Sequence, residues 1–356
     1  MATPRTMKAA VLVELRKPLV VAEIGLPASL APGQVLVKIH YSSICGSQLG
    51  EIDGAKGEDK FLPHLLGHEG SGTVVDVGPG VRHVQCGDTV VLHWRKGLGI
   101  EAETASYHWD GRKVNSGWIT TFNEYAVVSE NRVTSIPADS DLEVATLFGC
   151  AVTTGFGVVV NNARVSIGES TVVFGAGGIG LNIVQAAALC SAYPVIAVDL
   201  HDSKLDLARR LGATHTINSS KTDAATAIHE IVGSGVDVFI DNTGIPAIIQ
   251  MGYQLTKPQG RVVLVGVPRK GSNVDIYSLP LHFGKVLTGS HGGEAIPQRD
   301  IPRYSELFRV GRIKLRELLT HRYELDEINT AIAAMRDGTV SGRCLIRMQR
   351  EVSSTR

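Results

Sequence analysis

Two rhythms of apolar and polar positions divide the chain. In the first 137 residues, short apolar or alternating runs at 8–14, 34–41, 72–77, 89–92 and 124–128 are interrupted by glycine and proline. Their Val, Ile and Thr content suits a pleated, half-buried surface, so this part is expected to be an irregular, mostly β domain. From about residue 153 the rhythm changes. Short apolar runs at 171–174, 195–198, 214–217, 236–240, 261–265 and 285–288 are now separated by stretches whose apolar residues recur at helical spacing. Strands alternating with helices in this way predict a doubly wound parallel sheet. Two further helices are expected in the tail, at 304–311 and 325–337. In the second, Leu325, Ile328, Ile332 and Met335 share a face and Gly338 follows as a stop.

The run at 171–174 opens into a glycine-dense turn. Gly175, Gly177 and Gly180 form G-x-G-x-x-G between a buried strand and a helical pattern in which Leu181, Ile183, Val184, Ala187 and Ala188 recur. Such a turn lets backbone approach a pyrophosphate, and the helix start offers free N–H groups to it. The next strand ends in Asp199, nineteen residues beyond Gly180, where a carboxylate can bind both ribose hydroxyls and repel a 2′-phosphate. The expected dinucleotide is therefore NAD and not NADP. Gly178 and Ile179 in the turn, and Leu200 beside the acid, join the candidate cofactor contacts.

Length and composition narrow the rest. A chain of 356 residues exceeds one ordinary core, and a doubly wound sheet from 153 to 290 leaves residues 1–152 and 291–356 to build one catalytic domain from both chain ends. The active site is expected in the cleft between the two. Lys plus Arg and Asp plus Glu balance at 35 each, so no net field draws nucleic acid or an anionic membrane, and a small neutral partner is expected. The five cysteines, 45, 86, 150, 190 and 344, are odd in number, widely spaced and without a C-x-x-C pair. That argues against a disulfide framework and for a reducing, cytoplasmic setting. Residues 94–118 are polar, aromatic and charged with no clear period, and are expected to make a long surface excursion.

Cys45-Gly46-Ser47, Gly67-His68-Glu69 and Gly149-Cys150 are far apart, yet two thiolates and an imidazole are a recognised donor set for catalytic zinc. Together with Gly70-Ser-Gly72-Thr-Val, Gly87-Asp88-Thr-Val, Ala-Val-Thr-Thr154-Gly155 and the Gly175 turn, they stand in the order and approximate spacing of one family. Over nearly its whole length the sequence resembles the zinc-dependent alcohol dehydrogenases of the medium-chain dehydrogenase/reductase family. The resemblance implies a Rossmann sheet inserted into a GroES-like catalytic domain, and hydride exchange between an alcohol and NAD.

The resemblance also implies residue roles. Cys45, His68 and Cys150 would hold one catalytic zinc, with Glu69 as a transient ligand and Ser47 passing a proton away. Thr154 and Val265-Gly266-Val267 would lie beside the nicotinamide, Lys204 at the adenosine ribose and Arg343 at the pyrophosphate. It further implies a homodimer or homotetramer, with 285–288 as an edge strand that could pair across a two-fold axis.

Several positions depart from the family pattern. A four-cysteine structural zinc site is impossible, because no cysteine lies between Cys86 and Cys150. Gln48 stands where the family has an aspartate behind the histidine ligand, and zinc is expected to be held less tightly for it. Gly50 replaces a relay histidine, a task open to Glu51, His291 or water. Two other readings fit the same fold: a metal-free quinone or enone reductase, and a non-catalytic dinucleotide-binding sensor.

Overall fold

The computed structural model describes residues 5–348. They form two compact units. One takes the chain up to Cys150 and again from Ile296 onward, and the other takes Ala151–Ala295.

The first unit is built on β structure. Strands β1 (Thr6–Leu12), β2 (Val20–Gly25), β3 (Gln34–Ile44), β4 (His64–Leu65), β5 (Glu69–Val77), β6 (Thr89–His93), β7 (Ser106–Trp109), β8 (Arg112–Asn115), β9 (Tyr125–Ser129) and β10 (Val133–Ser135) follow one another. A closed barrel runs β1-β2-β7-β8-β4, and a second sheet runs β10-β6-β5-β3 and continues through Arg343–Arg347 and Leu319–Glu324. Thus the C-terminal strand Arg343–Arg347 pairs with β3, Cys344 opposite Ile44, and the tail closes the core begun by the N-terminal strands. Val35, Val37, Ile39, Val90, Leu92 and Phe122 fill that core with Ile328 and Ile332 from the last helix, Ile328–Arg336. The helix expected at 304–311 starts earlier, at Pro297, whose fixed φ suits a first helical turn.

The excursion expected on the surface is largely exposed, but it holds a paired hairpin with a buried inner face. Residues 106–115 are the hairpin β7–β8, turned at Asp110 and Gly111, both with positive φ (52° and 73°). Tyr107 and Val114 pair across it and are fully buried, while His108 and Lys113 face outward. An Asp-Gly turn flanked by alternating residues is a strong hairpin signal, carried here by Tyr-His-Trp-Asp-Gly-Arg-Lys-Val. The mixed charge around it hid the period.

The second unit is a parallel sheet of β11 (Thr171–Phe174), β12 (Val195–Asp199), β13 (His215–Asn218), β14 (Val236–Asp241), β15 (Thr256–Leu264) and β16 (Val286–Gly289). Their order is β13-β12-β11-β14-β15-β16, so the chain reverses direction across the sheet between β11 and β14. Val172, Ile196, Val198, Phe239 and Val262 are buried in one cluster, as parallel strands covered on their faces require. In α/β sheets of this order ligands bind beyond the carboxyl ends of the strands at that reversal, which is where the Gly175 turn leaves β11.

Candidate catalytic metal and dinucleotide sites

Three loops of the first unit bring the metal-ligand candidates together. Cys45 follows the end of β3 and caps the short helix Gly46–Ile52. His68 sits between β4 and β5, and the pairing of Ser42 with Gly70 sets β5 beside the end of β3. The glycines flanking the ligands have packing reasons. Gly67 has φ +91°, and a Cβ there would meet Thr121 Oγ1 at 2.4 Å and Phe122 N at 2.8 Å. A Cβ at Gly149 would meet Leu92 O at 2.3 Å and Glu69 Cβ at 2.8 Å, so any larger residue would push Cys150 away.

The donor atoms of Cys45, His68 and Cys150 all lie within 4.8 Å of one another, the one such group among the described residues. Ligands on a tetrahedral zinc with bonds of ~2.0–2.3 Å stand ~3.3–3.8 Å apart, so small adjustments suffice. Cys45 and Cys150 are 4% exposed. His68 Nε2 is buried with no hydrogen-bond partner, an orphan that a metal would satisfy. The Cys45 thiol is held well below its ordinary pKa, first by its hydrogen bond with Cys150, then by His68 and the Arg343 guanidinium, against the opposing effect of burial. Cys344, where burial outweighs the opposing charge of Arg343, is pushed up to about 11 and stays a thiol. The donor set therefore fits zinc.

Behind the ligands, Gln48 is 2% exposed and its amide touches His68 Nδ1, while its Oε1 accepts from Cys45 N at 2.9 Å. Glu69 is fully buried and stands outside the ligand group. Ser43 Oγ donates to its Oε1 at 2.6 Å, and Arg343 forms an ion pair with the same oxygen. Arg343 is 3% exposed and also donates to Ser43 Oγ at 3.0 Å, so its guanidinium is seated inside the first unit against Glu69. Family resemblance places Arg343 at a pyrophosphate; its tie to Glu69 depends on the pairing of Arg343–Arg347 with β3, which no local sequence pattern carries. Ser47 is exposed on the helix after Cys45. His93 carries no free donor for a metal: Nδ1 donates to Arg95 O at 2.7 Å and Nε2 accepts from Thr134 Oγ1 at 2.9 Å, and burial lowers its pKa to about 4.

In the second unit the glycine turn is ordered as its spacing requires. Gly175 has φ +96°, and a Cβ at Gly180 would lie 1.9 Å from Gly175 O. Around Gly177 a Cβ would meet nothing within 4 Å, leaving the open side a phosphate needs, at the start of the helix Gly178–Leu189. Asp199 ends β12, 9% exposed. It accepts from Ala176 N at 2.8 Å and His201 N at 3.1 Å, with Lys204 Nζ at 3.9 Å. The carboxylate is thereby held against the turn with acceptor capacity to spare for ribose hydroxyls. Leu200 and Val267 are 58% and 63% exposed, Thr154 is buried in the helix Ala151–Gly157, and Gly266 packs so closely on Gly244 that a Cβ would meet its N at 2.1 Å. Sequence reasoning missed one support of this turn and the brace of the neighbouring turn after β14. Asn242 Nδ2 donates to Gly175 O at 3.2 Å, and the buried Asp241 carboxylate accepts from Thr243 N at 3.0 Å and Gly244 N at 2.9 Å. The Asp-Asn-Thr-Gly run signalled a turn, but only the pairing of β11 with β14 places it there.

A parallel dinucleotide fold and a buried Cys₂His donor set together define a zinc- and dinucleotide-dependent oxidoreductase. Comparison with known proteins agrees. The family model of the alcohol dehydrogenase GroES-like domain matches residues 31–138, and that of zinc-binding dehydrogenases matches 178–309. The chain is 32% identical to alcohol dehydrogenase class-3 of Cereibacter sphaeroides, covering 93% of this chain and 97% of the relative. It is equally 32% identical, with the same coverage, to S-(hydroxymethyl)glutathione dehydrogenase of Paracoccus denitrificans. The crystal structure of benzyl alcohol dehydrogenase from Acinetobacter calcoaceticus superposes with a TM-score of 0.87 at 30% identity, covering 97% of this chain and all of that one. The chain belongs to the zinc-dependent alcohol dehydrogenases of the medium-chain dehydrogenase/reductase family. It is an enzyme that transfers hydride between a small-molecule alcohol and NAD, with zinc as its second cofactor.

Proposed function

We propose that this dehydrogenase oxidises a primary alcohol, a –CH₂OH group, to the aldehyde, and reverses the reaction. The names of the Paracoccus relative and the Acinetobacter structure support this, since an S-hydroxymethyl group and benzyl alcohol both present a –CH₂OH carbon for hydride removal. The observation that carries the zinc chemistry is the buried, unpartnered Nε2 of His68 beside two cysteines. Zinc bound there supplies Lewis acidity to the substrate oxygen.

In this reading Cys45, His68 and Cys150 would hold the zinc, with Glu69, one residue from His68, as a transient ligand. Ser47, exposed on the helix after Cys45, takes the hydroxyl proton. The unit Ala151–Ala295 is the NAD-binding domain and the rest of the chain is the catalytic domain. Gly175, Gly177, Gly178, Ile179 and Gly180 receive the pyrophosphate. Asp199, Leu200 and Lys204 bind the adenosine ribose, while Thr154 and Val265-Gly266-Val267 orient the nicotinamide. Arg343 acts by holding Glu69.

The enzyme works as a homo-oligomer in the cytoplasm. The edge strand β16 carries Val286 at 42% exposure, and the segment leading into it exposes Tyr277 at 71% and Phe283 at 68%, apolar surface suited to a second copy. All five cysteines are free thiols, in keeping with a reducing compartment. Among the described residues no single helix is long and apolar enough to cross a membrane. The test is a panel of primary and secondary alcohols with NAD and NADP on zinc-verified protein. Turnover confined to secondary alcohols would reject the substrate class, and a preference for NADP would reject the role of Asp199.

A further inference from the structure

The amino-terminal end of the second unit's sheet, opposite the end that carries the Gly175 turn, is hollow. As β14 advances from Val236 to Val238, its partner on β15 jumps from Thr256 to Arg261, so residues 257–260 bulge out of the ladder. Between that bulge, the end of the helix Pro246–Leu255 and the turn Leu279–Phe283 lies a cavity of about 690 Å³. That volume suits a small molecule, and Leu255, Pro258, Tyr277, Leu279 and Phe283 give it apolar walls. The Tyr253 hydroxyl donates to Tyr277 O at 3.0 Å and ties one wall to the helix. The charges around the cavity have one sign. No Asp or Glu lines it, whereas Lys257 and Lys285 do. Lys257 is neutralised by Asp237 at 2.8 Å. Lys285 is 8% exposed, and its Nζ donates to Tyr253 O at 2.7 Å and stands 4.6 Å from the centre of the Tyr253 ring. A carbonyl and a ring face solvate the ammonium without neutralising it, and among the described residues no carboxylate pairs with it. Burial disfavours such a charge and lowers the Lys285 pKa from its ordinary value.

We propose that this cavity is a second binding site, separate from the active site, for a small amphipathic anion: a carboxylate whose head pairs with Lys285 and whose hydrocarbon tail lies against Leu279 and Phe283. The carboxylate supplies the counter-charge that the surrounding fold omits, and a charge-assisted hydrogen bond of this kind is about twice as strong as a neutral one. A cation with the same tail meets the same walls but is repelled by Lys285, so the site selects by head group. Tyr277 and Phe283 at the rim also belong to the surface proposed above for a second copy, which makes that copy the rival occupant. The inference is independent of the zinc and alcohol readings, because the cavity lies at the end of the sheet away from the dinucleotide turn.

The test titrates octanoate and octylammonium calorimetrically into the zinc- and NADH-loaded enzyme, as wild type and as Lys285→Met. A second variant, Phe283→Trp, locates the ligand, because the chain's own tryptophans, Trp94, Trp109 and Trp118, all lie in the first unit. In it 8-bromooctanoate should quench the added emission. The expected result is one octanoate per chain in wild type, weakened roughly tenfold or more in Lys285→Met, with no saturable binding of octylammonium. Should Lys285→Met fail to fold, the head-group comparison and the quenching decide the matter without it. Equal octanoate affinity in a folded Lys285→Met, octylammonium bound as tightly as octanoate, or quenching confined to the emission that wild type shares overturns the proposal. Absence of octanoate binding by wild type overturns it too, and a dimer in sedimentation of that sample then assigns the cavity to the second copy. Alcohol turnover is read separately, so its failure would reject the dehydrogenase reading and leave these outcomes as they stand.

Discussion

Gly177 and Gly180 stand three residues apart in one turn, yet the structure gives them opposite sensitivities. At Gly180 an added Cβ would lie 1.9 Å from Gly175 O, against the 3.0 Å that real Cβ atoms essentially always keep, and the neighbour is backbone. The helix Gly178–Leu189 must then move off β11 by about an ångström, an overpacking that costs ~1–3 kcal/mol of stability. At Gly177 the same Cβ meets nothing, and the backbone, φ −76° and ψ −173°, is open to any residue. Gly177→Ala is therefore expected to leave stability unchanged or to raise it by ~0.5 kcal/mol, through the stiffer unfolded chain. Its Cβ would instead occupy the space of a phosphate oxygen. Loss of one charge-assisted backbone hydrogen bond, ~1.5–3 kcal/mol, weakens NADH by roughly ten- to 150-fold.

Two assays separate these effects. Thermal unfolding without cofactor reads stability, and NADH fluorescence titration reads binding, with zinc content checked in both variants. Gly180→Ala should lose stability. Gly177→Ala should keep stability and lose NADH. If Gly177→Ala binds NADH as wild type does, the phosphate does not approach at that glycine and the reasoning fails.

Three further outcomes are expected. Replacing Asp199 by Ser should shift the kcat/KM ratio from NAD toward NADP by at least tenfold, and an unchanged ratio would remove Asp199 from the ribose site. Tyr107→Phe leaves the Val127 N–H, now 2.9 Å from the Tyr107 oxygen, buried without an acceptor, so unfolding should be easier by ~1–3 kcal/mol. His93 titrates at about 4 when folded and nearer 6.5 when unfolded, so the unfolded chain binds the proton first. The stability this residue contributes is whole above the unfolded value and is lost as pH falls toward 4, by ~3 kcal/mol. Denaturant midpoints of His93→Gln should consequently fall less steeply than wild type over that interval.

Much of the fold was legible because it rests on local pattern. The strands of the second unit, the Gly175 turn and Asp199 follow from apolar runs and glycine spacing that a parallel sheet needs. In the first unit the runs were equally readable, except around Asp110-Gly111, where charged neighbours masked the alternation of Tyr107 and Val114. What could not be read were contacts set by pairing between distant strands. The Glu69–Arg343 tie needs the last strand beside β3. The support of Gly175 by Asn242 needs β14 beside β11, and the meeting of Gln48 with His68 needs β5 folded against the end of β3. Cys45, His68 and Cys150 became a candidate set through family resemblance, since their sequence separation alone carries no geometry.

The central claim is that one zinc at Cys45, His68 and Cys150 supports NAD-linked alcohol oxidation. The most direct measurement combines metal analysis of purified wild type and Cys150→Ser with NADH formation from a primary alcohol. The account predicts one zinc per chain and turnover in wild type, and loss of both in the variant. NADH formation at the wild-type rate by metal-free protein or by the variant would contradict it.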